Sequence, residues 1–142
     1  MIAPDANLLI YAYTPSDPFH KASRAWLEEI LSGTEPVGIP IISVHAFMRV
    51  QTDLRGRNPV PFALAATTVD SWLALPHVRI LYPGDHHWIL FQQLCSQIRI
   101  TGTQLTDVAI AAIALEYGAV VHTNDRDFAR FPNLRWHNPL NA

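Results

Sequence analysis

The chain has 142 residues, 49% of them hydrophobic and four of them tryptophan, which is material for one globular domain and excludes a disordered chain. Its net charge of −2 excludes binding to nucleic acid through bulk positive charge, so such a partner would have to be met by local arginines or a metal ion. No run reaches the ~18 consecutive apolar residues of a membrane span, and MIAPDANLL lacks the basic flank and apolar stretch of a secretory signal.

Residues 1–5 read as a short strand ending at Asp5, which is placed to cap the helical ANLLIYAY that follows. FHKASRAWLEEIL (19–31) reads as a helix whose Trp26, Leu27, Ile30 and Leu31 form a core-facing stripe. PVGIP (36–40) gives a second strand, SVHAFMRV (43–50) and PFALAATTVDSWLAL (61–75) two helices, and VRIL (78–81) a third strand. DHHWILFQQLCSQI (85–98) is a helix carrying Cys95, the single cysteine, read as core filling in a reducing, cytoplasmic compartment. TQLTDVAIAAIALEYG (103–118) is a helix stopped by Gly118, AVVHT (119–123) a fourth strand, and LRWH (134–137) a fifth. PSDP (15–18) and RGRNPVP (55–61) are loops inside a single domain spanning 1–142. Strands alternating with helices predict an α/β fold, a parallel sheet with helices on both faces.

That topology gives the acidic residues a place. Ligands of parallel α/β sheets collect at the carboxyl ends of the strands. Asp5 ends the first strand and Asp125 follows the fourth. Asp107 lies in the first turns of the helix that runs back into the fourth strand, so it starts at the same edge, and Asp127 is two residues beyond Asp125. If the first and fourth strands are neighbours, four carboxylates from three segments converge. Two carboxylates about 5 Å apart repel by roughly 3 kcal/mol at an effective dielectric of 20. Such a cluster raises its pKa values or recruits a cation, and an all-oxygen set with open positions suits Mg²⁺ or Mn²⁺. One or two such ions serve phosphodiester hydrolysis. Each acid also has a local reading: Asp5 and Asp125 as caps, Asp107 and Asp127 as first-turn acids favoured by the helix dipole.

At these residues the sequence resembles the PIN-domain family, and within it the VapC-type ribonuclease toxins of toxin–antitoxin pairs. PDANLLIYAY (4–13) looks like the opening motif, TDVAIAAIALEYG (106–118) like the aspartate-led, alanine-rich helix, and TNDRDFARFPNLRWHNPL (123–140) like the closing segment. The resemblance spans almost the whole chain. It implies a PIN-like three-layer fold with strand order 3-2-1-4-5, Mg²⁺ or Mn²⁺ at the acids, and endonuclease activity on RNA. It also implies a small antitoxin partner and a homodimer. Asp5, Asp107 and Asp125 match the family's core metal-binding and catalytic acids, Asp127 its further acid, and Asn7 and Thr123 positions that support the metal site.

One departure stands out. The family usually carries a glutamate on the helix after the second strand, and Val44, His45, Ala46 and Phe47 supply no acid there. Glu35 and Asp53 flank this stretch at a distance. His45 is a poor partner for Mg²⁺ and is expected in the core or at a dimer face. Lowered or lost catalysis is therefore an alternative: a PIN-like module that binds RNA or an antitoxin without turnover. A phosphatase with Asp5 as nucleophile fits less well, since PDANLL lacks a second aspartate two positions on. Arg49 and Arg126 are the candidate substrate contacts. Arg55 and Arg57 are read equally well as solvated surface, and the adjacent His86 and His87 make a poor chelate.

Overall fold

The structure is a computed structural model that describes residues 1–141. Five parallel strands form one sheet in the order β3-β2-β1-β4-β5: β1 (Ile2–Pro4), β2 (Val37–Pro40), β3 (Val78–Leu81), β4 (Val120–His122) and β5 (Trp136–His137). Six helices surround it: α1 (Ala6–Ala12), α2 (His20–Ser32), α3 (Ile41–Thr52), α4 (Phe62–Leu73), α5 (His87–Gln97) and α6 (Leu105–Tyr117). Expected boundaries hold to within a few residues. The main shift is at α6, where the expected first turn is a separate 3₁₀ turn, Gly102–Gln104, closed by a capping box between Thr101 and Gln104.

Alternation along β1 sorts the core into two layers. Ile2 faces a cluster with Leu8, Leu9, Trp26, Leu27, Val37, Ile39, Phe47, Val69 and Trp72. Ala3 faces the other, with Leu94, Val108, Ile110, Ala111, Val121, Phe128 and Phe131. The first layer is packed by aromatics: Phe47 and Trp72 ring centroids lie 5.0 Å apart, and the Trp72 indole N–H reaches the Tyr13 hydroxyl at 3.0 Å. The second is packed by alanines, so α6 lies close against the sheet. The Trp26–Leu31 stripe of α2 points inward as the sequence predicts, and Cys95 is half-buried against the second layer. α3 touches both layers, with Phe47 in the first and Ile42 against the second.

The central position of β1 decides the rest. Ile2, Ala3 and Pro4 pair with Val120, Val121 and His122, so the first and fourth strands are neighbours and end together. Gly118 stops α6 in the left-handed conformation (φ 63°) that only glycine adopts without strain, and this turns the chain directly into β4. Among the described residues no helix is long and apolar enough to cross a membrane.

Candidate active site

Asp5 caps α1, as the local reading expects, its Oδ1 accepting from the Ala6 N–H at 2.7 Å. Its Oδ2 accepts from the Thr123 hydroxyl, also at 2.7 Å, across 118 residues of chain. Asp125 likewise caps the 3₁₀ turn Arg126–Arg130, accepting from the Asp127 N–H at 2.9 Å. Capping and site-building are not alternatives here. An ionised carboxylate has about four lone-pair sites, and one cap bond uses one of them.

Thr123 is the hub. A hydroxyl has one proton and two lone pairs. Thr123 gives its proton to Asp5 and accepts from the Asn7 side-chain amide at 3.4 Å and the Asp125 N–H at 3.0 Å. It is fully buried with every valence used. Because the threonine proton is committed to Asp5, Asn7 has to present its N–H₂ group here, which leaves its Oδ1 buried and without a partner. The supporting positions implied by the family resemblance thus meet in one network.

Two further bonds hold the peptide that carries Asp5. The Asp5 N–H donates to the His122 carbonyl at 2.9 Å. The Pro4 carbonyl accepts from the buried hydroxyl of Ser43, in the first turn of α3, at 2.8 Å. His122 is held in turn by Trp26, whose indole N–H donates to its Nδ1 at 3.1 Å. An indole can only donate, so the Nδ1 of His122 is unprotonated. Burial, then the nearby His137 and the chain's amino terminus, push the His122 pKa down to about 4. Ser43 and Trp26 escaped the sequence reading, because neither residue type signals a strut without knowing which face it projects from.

The electrostatics bind the three segments together. Burial raises the pKa of Asp5, against the lowering effect of the Thr123 and Ala6 hydrogen bonds, and the charge of Asp125 adds to the rise. Asp107 is pushed up to about 7, first by burial, then by the charges of Asp5, Asp125 and Asp127, with Arg130 opposing. No hydrogen bond offsets that rise.

Such a set suits a hard divalent cation by donor type and charge, and the buried Oδ1 of Asn7 is left without a partner in the same network. It is an open wall rather than a closed cage. Among the described residues, no three His, Cys, Asp or Glu side chains converge tightly enough to hold one ion as they stand. The two findings agree, because ligand bonds to Mg²⁺ span about 2.1 Å whereas charge repulsion reaches several times farther.

α3 brings no acid to this edge. His45 is exposed, so of its two expected places, the core and a dimer face, the core is not where it lies. Asp53 sits at the C-terminal end of α3 in an ion pair with Arg55, 3.0 Å long, and Glu35 is exposed in a groove with Trp26, His122 and His137. Arg49 occupies the last turn of α3, eight residues after Ile41 and so roughly 12 Å along the helix axis from its start. Arg126 is exposed on the first position of the 3₁₀ turn. Arg130, not singled out from the sequence, is the cation that acts on Asp107.

A PIN-domain family model matches residues 2–134. The ribonuclease VapC33 of Mycobacterium tuberculosis is 36% identical over 141 residues, 99% of each chain. The fold matches VapBC2 of Rickettsia felis, solved bound to a promoter DNA fragment, with a TM-score of 0.71 at 20% identity over 97% of this chain and 98% of that one. It also matches a toxin–antitoxin complex from Klebsiella pneumoniae with a TM-score of 0.66 at 17% identity, over 98% of each chain. With its acids, its sheet order and these relatives, the chain belongs to the PIN-domain family, alongside proteins named as VapC ribonucleases.

Proposed function

We propose that this protein is a divalent-cation-dependent endoribonuclease and the toxin of a toxin–antitoxin pair. The observation that carries the chemistry is Asp107, held near pKa 7 by burial and by three other acids on the same edge. A site that stores this much repulsion is stabilised by any cation it binds, and an RNA phosphate approaching it needs that cation as well. The ribonuclease name of the relative that matches end to end supports the substrate class.

Asp5, Asp107 and Asp125 would hold Mg²⁺ or Mn²⁺, with Asp127 assisting. When bound, the ion supplies Lewis acidity for water activation and for the departing oxygen. The chain's own contribution is preorganisation. Thr123 fixes the Asp5 carboxylate, and Ala6 fixes its other oxygen. Asp107, unsupported by hydrogen bonds, keeps a proton on its carboxyl near neutral pH until positive charge displaces it. Asp125 holds the 3₁₀ turn that carries Asp127. With the ion bound, water would attack the phosphodiester in line, giving up a proton as the bond to the 3′ oxygen breaks, and the products would be a 5′-phosphate and a 3′-hydroxyl that takes up a proton.

An antitoxin partner is supported by the toxin–antitoxin complex among the structural neighbours, and a homodimer by the family resemblance alone. A second reading, an RNA- or antitoxin-binding module without turnover, is favoured by one observation: α3 brings no carboxylate to the edge. Cleavage of structured RNA with Mg²⁺ or Mn²⁺ separates the two. Cutting should stop with chelator and with Asp5→Ala, and equal cutting in all conditions would sink the nuclease assignment. RNA binding by calorimetry without any metal-dependent product would favour the module.

A further inference from the structure

The acidic edge has a cation beside it that no carboxylate has consumed. Four other arginines are engaged, whereas Arg49, Arg57, Arg99 and Arg126 make no ion pair among the described residues either. Arg24 pairs with Glu28 and lies over Tyr13, Arg55 pairs with Asp53, Arg79 lies over Tyr117, and Arg135 donates to the Gly118 carbonyl. Arg130 is placed differently. It ends the 3₁₀ turn that Asp125 caps, and its Nε donates to the Asp127 backbone carbonyl at 3.3 Å. That bond fixes the root of the guanidinium and leaves both terminal amino groups free. Among the described residues it makes no ion pair, and three residues along a 3₁₀ turn it is eclipsed with Asp127. It is also exposed.

A guanidinium near an acidic wall usually collapses onto it. This one is anchored to the main-chain oxygen of Asp127, on the turn that Asp125 caps, with both terminal amino groups uncommitted. A phosphodiester entering that edge has two non-bridging oxygens and meets repulsion from every carboxylate. Paired N–H donors in a fixed plane match those oxygens, as a lysine's point charge does not. We propose that Arg130 contacts the RNA phosphate at this site, with its terminal amino groups on the non-bridging oxygens. The inference rests on the nuclease reading and gives Arg130 the role that the sequence offers equally to Arg49 and Arg126.

The test is the salt dependence of RNA binding. Bulk ribosomal RNA is bound by filter retention with Ca²⁺ present, for wild type, Arg130→Gln, Arg130→Lys and Arg79→Gln. Cleavage with Mn²⁺ runs alongside, and thermal midpoints exclude misfolding. Arg130→Gln should flatten the slope of log K against log salt by about 0.7, one single-strand phosphate contact, and lower kcat/KM. Arg130→Lys should keep the slope and lose affinity. Arg79→Gln, which removes the same charge three strands away from β4, should match wild type. A wild type that cuts RNA while Arg130→Gln keeps the wild-type slope overturns the inference and leaves the nuclease reading standing. A wild type that neither cuts nor retains RNA removes both.

Discussion

Asp5 and Asp107 carry the same group to the same edge and burial raises the pKa of both, but the fold supports only Asp5 with hydrogen bonds. Asp5 is buried, and each of its oxygens accepts a hydrogen bond of 2.7 Å. The peptide before it is held on one side by Ser43 and on the other by His122. Asp107 is half-buried with no hydrogen bond to offset its desolvation, and it absorbs the repulsion of the other three acids. On the proposed metal-binding reading, a ligand that must be in place before the ion arrives needs the first environment. A ligand whose charge is to be drawn out by the ion needs the second. The difference divides the site into a rigid corner and a responsive one.

The largest effect should come from breaking the rigid corner at its hub. Thr123→Val keeps the shape and removes the hydroxyl, leaving the Asp125 N–H and the Asn7 amide without their acceptor and Asp5 without its donor. Buried polar groups left unpaired cost about 1–3 kcal/mol each, so unfolding in urea should show a loss of roughly 2–4 kcal/mol, with cleavage falling further than stability explains. Retention of wild-type stability would mean that Thr123 is not the hub. Ser43→Ala acts one step further out and should cost about 1–2 kcal/mol by the same measurement.

The responsive corner predicts the reverse sign. Asp107 binds its proton more tightly folded, near pKa 7, than unfolded, near 3.8, so between those values the folded state holds more protons. Stability therefore falls as pH rises through that window, and above it the full penalty is present. Asp107→Asn should abolish cleavage yet stabilise the cation-free protein at neutral pH. We expect about 1–2 kcal/mol, after discounting for solvent screening at a half-exposed side chain. Its advantage over wild type should grow from pH 4 to pH 7 and shrink when Mn²⁺ is added. A destabilised variant at pH 7 would show that the two acids are treated alike after all.

Much of this was legible in the sequence. The strands and their parallel arrangement follow from periodicity, while the sharing of one edge by Asp5, Asp107 and Asp125 also needs the first and fourth strands to be neighbours, which the family resemblance implied. What was not legible depends on projection and on partners far along the chain. Thr123 is readable as a supporting residue through the family pattern, but not its saturation by Asp5, Asn7 and Asp125 at once. Ser43 looks like an ordinary first-turn serine until the Pro4 carbonyl is found above it, 39 residues away. Arg130 and Arg126 are indistinguishable in TNDRDFAR. Only the 3₁₀ turn, which brings the Arg130 Nε to the Asp127 carbonyl, separates them. The absent acid in α3 was readable as an absence, but the choice between core and surface for His45 was not, because α3 is flanked by two core layers and its solvent face narrows to a few positions.

The smallest effect tests the outer layer of the rigid corner. His122 is the opposite of Asp107 in its titration. Its pKa falls from 6.5 to about 4 on folding, so between those values the unfolded chain holds the extra proton and stability falls as pH falls. The cause is the same burial, acting on a cation instead of an anion. In His122→Asn the side-chain oxygen stands near the place of Nδ1, so it still accepts the Trp26 indole N–H and cannot titrate. At pH 7.5 and above, the variant and wild type should differ by less than about 1 kcal/mol in urea unfolding, within the range of one exchanged hydrogen bond. As pH drops from 6.5 towards 4 the variant should gain on wild type, because it escapes the cost of keeping a buried imidazole neutral. In wild type that rising penalty on His122 is opposed by falling penalties on Asp5 and Asp107, so the comparison is made between variant and wild type at each pH. A variant that loses ground in acid would mean that the imidazole carries its proton in the fold, and with it that the indole of Trp26 does not hold the end of β4.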